Sequence, residues 1–211
     1  MNQERLRFYT NITHELRTPL TLILGPLEDM QKETSLPAKQ AQKLSVIHQS
    51  ALRLLNLINQ ILEFRKTETQ NKKLCVSKGN IAPLIYEIGL KYKELNQKTK
   101  IDFQIQIEKE EMFLFFDKEI ITIVLDNLIS NAIKYTEQGR VTLSLYQTMR
   151  NEVAYTEIKV SDTGYGISAE ALPHIFDRYY QESGKHQASG TGIGLALVKN
   201  LVTLHEGEIR A

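Results

Sequence analysis

His14 is followed at once by Glu15 and, one helical turn later, by Thr18, in the run FYTNITHELRTPL (8–20). A carboxylate beside an imidazole holds one ring nitrogen protonated, so the other keeps a free lone pair and can act as a nucleophile. Far downstream, DNLISNAIKYT (126–136) sets Asn127, Asn131 and Lys134 at i, i+4 and i+7, on one side of a helix. Two carboxamide oxygens suit Mg²⁺, and an ammonium beside them neutralises phosphate. Tyr135 borders this strip and offers a ring face to a base. In DTGYGI (162–167), Asp162 ends a strand-like run and can accept a hydrogen bond from an exocyclic amine such as adenine N6. Gly164 and Gly166 permit the tight turns that lead to Ile167. SGTGIGLAL (189–197) alternates Gly190, Gly192 and Gly194 with Thr191, Ile193 and Leu195 immediately before a helical run. Backbone N–H groups at such a helix start form an anion site. A dinucleotide fingerprint would follow a strand within a βαβ unit, whereas a polar loop precedes these glycines. In this order along one chain, these are the parts needed to move a phosphoryl group from ATP to His14.

Those groups need elements to hold them. Phe8, Ile12, Leu16, Leu20, Ile23, Leu27 and Met30 follow the helical period, which breaks near Leu36-Pro37. It resumes with Leu44, Ile47, Ala51, Leu55, Ile58 and Leu62. His14 lies roughly opposite the first stripe, with Thr18 on nearly its side. Pro19 is expected to bend the helix just beyond it. Two helices joined by a short loop cannot cover both stripes, with Leu24, Leu52 and Leu54 widening them. A homodimer that pairs two hairpins into a four-helix bundle is therefore expected.

From about residue 71 strands are expected at 74–76, 101–107, 112–116, 140–148 and 153–160. Helices fit 80–96, 117–134 and 192–205, with Asn80 and Asp117 as N-caps of the first two. The nucleotide helix is expected to bury Ile121, Val124, Leu125, Leu128 and Ala132. The fold class is α+β: a helical hairpin over 1–69, then an α/β sandwich over 70–211 with one sheet covered by helices on one face. The polar stretch 177–190 reads as a mobile loop carrying Arg178 and Lys185, either of which can reach phosphates. Phe176 is expected to pack the loop base onto the core.

Of 211 residues, 42% are hydrophobic and 24% charged, enough apolar material for one or two cores. A net charge of +1 gives no reason to expect nucleic acid or direct contact with an anionic membrane. The single Cys75 excludes an internal disulfide and reads as a small apolar strand residue. His48, His174, His186 and His205 show no metal-ligand spacing and read as structural or surface groups. No apolar run approaches a bilayer span, the start lacks a signal peptide, and both ends read as cut from something longer.

The chain resembles, over nearly its whole length, the catalytic core of the sensor histidine kinases of two-component signalling. FYTNITHELRTPLTLI is similar to that family's H box, DNLISNAIKYT to the N box, DTGYGI to G1, PHIFDRYY to the F box and GTGIGLAL to G2. The resemblance implies a dimerisation and phosphotransfer hairpin followed by an ATP-binding domain of the gyrase/Hsp90/MutL type. It implies His14 as phosphoacceptor, Glu15 as its activator, Asn127 and Asn131 as Mg²⁺ ligands and Asp162 as the adenine acceptor. The five glycines would shape the nucleotide loops, and Thr18 would orient water to dephosphorylate a response regulator. The receiver domain of that regulator is the implied partner, and a cytoplasmic fragment of a parent anchored in the inner membrane is the implied setting. LTLILGPLE and INQILEFRK are similar to hybrid kinases that carry their own receiver. After HEGEIRA the family continues into a final strand, which here reads as truncated. A clamp-type ATPase is disfavoured because position 127 is Asn where such enzymes need an acidic base. A nucleotide-binding scaffold without transfer remains the non-enzymatic alternative.

Overall fold

In this computed structural model, the described residues are 16–30, 37–68, 73–96, 100–181 and 192–211. The chain divides into two compact units, Met1–Lys72 and Lys73–Ala211.

The first unit holds α1 (16–30) and α2 (Ala38–Glu68). Pro37 stands just outside α2, and its carbonyl accepts the N–H groups of Gln40 and Ala41 at 2.8 and 3.0 Å. A residue that cannot continue a helix from the N-terminal side thus serves to start one. Arg17 donates to Asn59 Oδ1 at 2.6 Å, and His48 Nε2 lies 3.7 Å from Glu28 Oε1, so the two helices run antiparallel. Leu20, Leu24, Ala51 and Ile58 form the seam between them, with Leu55 against it. Much of the expected stripe is uncovered within one chain: Leu16, Ile23, Met30 and Ile47 are exposed, as are Leu52 and Leu54. Pro19 sits inside a helix that continues to residue 30.

The second unit is built from β1 (Ser77–Asn80), α3 (Ala82–Leu95), β2 (Ile101–Ile107), β3 (Phe113–Phe116), α4 (Lys118–Tyr135), β4 (Gly139–Arg150), β5 (Val153–Asp162) and α5 (Gly194–Leu204). The strands make two sheets rather than one. β1 pairs antiparallel with β3, while β2 and β4 are parallel and β4 and β5 antiparallel, in the order β2-β4-β5. The parallel pair needs a long crossover, which α4 provides. Val141, Leu143 and Leu145 alternate inward along β4 and meet Ile85 and Ile129 from α3 and α4. Gly89 lets α3 approach closely, since a Cβ there would lie 2.8 Å from the Ile105 side chain.

Besides the single sheet, three further expectations fail here. The first strand lies at Ser77–Asn80 rather than 74–76, so Cys75 is exposed coil instead of a packed strand residue. Asn80 does not cap α3, whose cap position is Ile81. Its Oδ1 instead bridges the N–H groups of Ala82 and Met112 at 3.2 and 2.9 Å, tying the helix start to the strand entry. Residues 207–211, expected to lie in the first strand of a terminal hairpin, carry no strand.

Candidate functional site

α4 opens at Asp117, whose Oδ1 accepts the Ile120 N–H at 3.1 Å, as a carboxylate N-cap should. Ile120, Val124, Leu125, Ile129 and Ala132 are buried, whereas Ile121 and Leu128 are only half-buried. The expected polar strip is graded along its length. Asn127 is buried, with its Nδ2 donating to the Ile123 carbonyl at 2.8 Å. Asn131 is half-buried and Lys134 exposed. The expectation that Asn127 lies away from the core is thus wrong: α4 packs on α3 and α5 as well as on β4 and β5, so more than one side of it is covered. Lys134 Nζ rests over the Tyr135 ring, 4.8 Å from its centroid and 3.3 Å from its hydroxyl.

A second hold on α4 comes from α3. Tyr92 donates its hydroxyl to Asp126 Oδ1 at 2.9 Å, and Lys91 Nζ reaches the same oxygen at 3.2 Å. Burial first, and then the Asp126 carboxylate, push the Tyr92 phenol well above its ordinary value, so it stays a donor. This brace next to Asn127 has no local signal in the sequence.

The Asp162 loop closes against the other end of α4. Asp162 is exposed at the end of β5, and its Oδ1 accepts the Gly164 N–H at 2.8 Å. This local turn fixes the carboxylate orientation and leaves Oδ2 for an incoming donor. Gly164 lies directly under the Tyr135 carbonyl: a Cβ there would collide with that oxygen and lie 2.8 Å from its carbon. The Tyr165 N–H donates to the same carbonyl at 3.2 Å. Gly166 adopts φ +73° in open space, and Ile167 is exposed beyond it. Thr163 seals the strand exit, its Oγ1 accepting the Arg140 N–H at 2.9 Å. Tyr165 donates its hydroxyl to Glu137 Oε2 at 2.9 Å, which raises its phenol from the usual value. Neither Thr163 nor Glu137 was a sequence candidate.

At the start of α5, Gly192 has φ +66° and accepts from the Tyr179 N–H at 2.8 Å through its carbonyl. A Cβ on Gly192 would lie 2.6 Å from Tyr179 Cα, so the turn after Leu172–His174 is pressed onto Gly192. Phe176 is half-buried and Arg178 exposed on this turn. Ile193 is buried, and Gly194 and Leu195 open the helix half-buried. His14, Glu15, Lys185, His186, Gly190 and Thr191 lie outside the described residues; Thr18 is exposed on α1.

Tyr135 and the Asp162 loop are therefore joined by direct contacts, as are Gly192 and the turn carrying Arg178. Among the described residues no cluster of three or more His, Cys, Asp or Glu is placed to hold a metal ion. The Asn127–Asn131 pair does fit Mg²⁺, a hard ion that takes few protein oxygens and completes its shell with phosphate and water. Among the described residues no helix is long and apolar enough to cross a membrane.

Residues 4–70 match the family described as His Kinase A (phospho-acceptor) domain, and residues 116–211 match the Histidine kinase-, DNA gyrase B-, and HSP90-like ATPase family. The chain is 38% identical to Histidine kinase P4 of Formosa agariphila over all of this chain and 16% of that protein. It is 32% identical to Sensor histidine kinase WalK of Bacillus subtilis, over all of this chain and 35% of that one. The chain thus spans well under half the length of these relatives. Among solved structures, full-length ShkA in complex with AMPPNP superposes with a TM-score of 0.71 at 25% identity, over 94% of this chain and 41% of that one.

Proposed function

This chain belongs to the sensor histidine kinases as a catalytic core, and from that premise we propose that it transfers the γ-phosphoryl group of ATP to His14 and then to a response-regulator aspartate. The observation that carries this reading is the convergence of Tyr135, Gly164 and the Asp162 turn at one end of α4, the helix that also bears Asn127 and Asn131. Oδ2 of Asp162 accepts the adenine amine while Oδ1 stays locked in its turn. The N–H groups at the start of α5 face the phosphates, and Lys134 leaves the Tyr135 ring to add its charge. Asn127 and Asn131 would hold Mg²⁺, which when bound offsets the negative charge of the triphosphate.

Phosphoryl transfer asks the protein mainly for position and electrostatics. Glu15 holds the proton on one nitrogen of His14, and the other nitrogen attacks the γ-phosphorus in line with the leaving oxygen. The N–P bond forms, the bond from γ-phosphorus to ADP oxygen breaks with its electrons on ADP, and the excess imidazole proton passes to Glu15. The phosphohistidine is reactive, as a relay requires. Thr18, whose hydroxyl is essentially un-ionised at neutral pH, aims a water at the aspartyl phosphate when the regulator is dephosphorylated.

Two copies pair through the first unit, where Leu16, Ile23, Ile47 and Leu54 are left uncovered by the single hairpin. The parent protein is anchored in the inner membrane, with this portion in the cytoplasm, and the regulator is a receiver domain in trans or in the same parent. Incubation with γ-labelled ATP tests the reading: label on the protein is the expected result. Released phosphate alone means a clamp-type ATPase, and neither outcome means a scaffold.

A further inference from the structure

Asp117 does more than cap α4. It is 4% exposed, and both carboxylate oxygens accept backbone N–H groups from different parts of the chain. Oδ1 takes the Ile120 N–H at 3.1 Å, and Oδ2 takes the Cys75 N–H at 2.8 Å. Its own N–H donates to Nε2 of His205 at 3.1 Å, and His205 is the C-cap of α5. One residue therefore meets the start of the nucleotide helix, the end of the helix that follows the glycine loop, and the segment by which the chain enters the second unit at Lys73.

The chemistry explains why an aspartate stands there. A carboxylate is acceptor-only and offers lone pairs in two directions, so it can satisfy two N–H donors at once. Serine would cap the helix but has no second oxygen for Cys75. Asparagine would cap it equally well but would aim an N–H₂ group at the Cys75 N–H. The charge sits at the positive end of the α4 dipole, which offsets part of its desolvation. α4 is an 18-residue rod, about 27 Å long at the helical rise, with Asp117 at one end and Lys134 and Tyr135 at the other. Such a rod carries displacement of its first turn to the site end, because packed helices do not deform continuously.

We propose that Asp117 is a positioning residue that fastens the first residues of the second unit, at Cys75, to both nucleotide-site helices, so that nucleotide held by this unit is presented correctly for transfer to His14. The inference rests on the phosphotransfer reading above. It assigns Asp117 no contact with nucleotide. Its loss must therefore lower the rate of transfer while sparing nucleotide affinity.

Two substitutions reach the same bond from opposite sides. Asp117→Asn keeps the cap and opposes the Cys75 N–H. Cys75→Pro deletes that N–H and leaves Asp117 untouched, while Cys75→Ser retains it and serves as the control. Single-turnover labelling of the full chain at saturating γ-labelled ATP gives the transfer rate, and calorimetric titration with AMPPNP gives the affinity. Both Asp117→Asn and Cys75→Pro should transfer about tenfold more slowly with AMPPNP affinity near wild type, while the lost hydrogen bond lowers the melting temperature by roughly 2–5 °C per kcal/mol. The double variant should be no slower than either single one, because both remove the same bond. Wild-type rates in the two variants overturn the proposal. So does a parallel fall of rate, affinity and melting temperature, which would reduce Asp117 to a fold stabiliser. A wild-type chain that takes no label refutes the phosphotransfer reading itself, separately from these variants.

Discussion

Gly164 and Gly166 belong to one short motif, yet alanine should affect them very differently. At Gly164 the added methyl meets backbone: it overlaps the Tyr135 carbonyl oxygen and comes within 2.9 Å of Asp162 Oδ1. The Asp162 carboxylate can swing aside, but the Tyr135 carbonyl is helix backbone and cannot, so the loop must move off α4. Overpacking of that kind costs about 1–3 kcal/mol, and displacing the Tyr165 N–H from the Tyr135 carbonyl adds about 1 kcal/mol. At Gly166 the methyl enters open space, and the only cost is a positive φ of 73°, about 1–2 kcal/mol. Thermal unfolding should register the difference, at roughly 2–5 °C per kcal/mol for a domain of this size. Gly164→Ala should also weaken AMPPNP binding, because the shift carries the Asp162 turn with it. A Gly164→Ala variant that melts and binds as well as Gly166→Ala would refute the claim that this glycine is required for contact between loop and helix.

Asn131→Ala should lose about 1.5–3 kcal/mol of Mg²⁺-ATP affinity by calorimetry without loss of fold, whereas Asn127→Ala should lower the melting temperature as well, since Asn127 is buried. Tyr92→Phe should destabilise the second unit by about 1 kcal/mol in denaturant unfolding, because it removes one of the two donors by which α3 holds Asp126 and leaves the Lys91 contact in place. Thr18→Ala should label normally with ATP but lose most of its ability to dephosphorylate a cognate regulator, measured on purified proteins. A wild-type dephosphorylation rate would make Thr18 a mere surface residue.

How far the residues disclose this molecule depends on whether the deciding contacts are local. IDFQIQI alternates cleanly, and β2 has those bounds. Asp117 before an apolar helical run is a local cap signal, and it caps α4. The run FLFF marks a strand but not which faces are covered: Phe113 and Phe115 are exposed while Phe116 is buried, because β3 pairs only with short β1. α4 was harder, since a helix packed on several neighbours buries more than one stripe. Asn127 is inside for that reason, and Ile120 and Ile129 replace Ile121 and Leu128 in the core. The bonds from Asp117 to Cys75 and His205 cross 42 and 88 residues, and no periodicity or motif announces a contact of that range.

The most direct test of the account is the site of phosphorylation. Wild-type chain and a His14→Gln variant would each be incubated with Mg²⁺ and γ-labelled ATP, then mapped as peptides with and without mild acid. The account predicts label on the peptide containing His14, lost in acid, and an unlabelled variant that still binds AMPPNP with wild-type affinity. Label that survives acid, or that persists in His14→Gln, would contradict it.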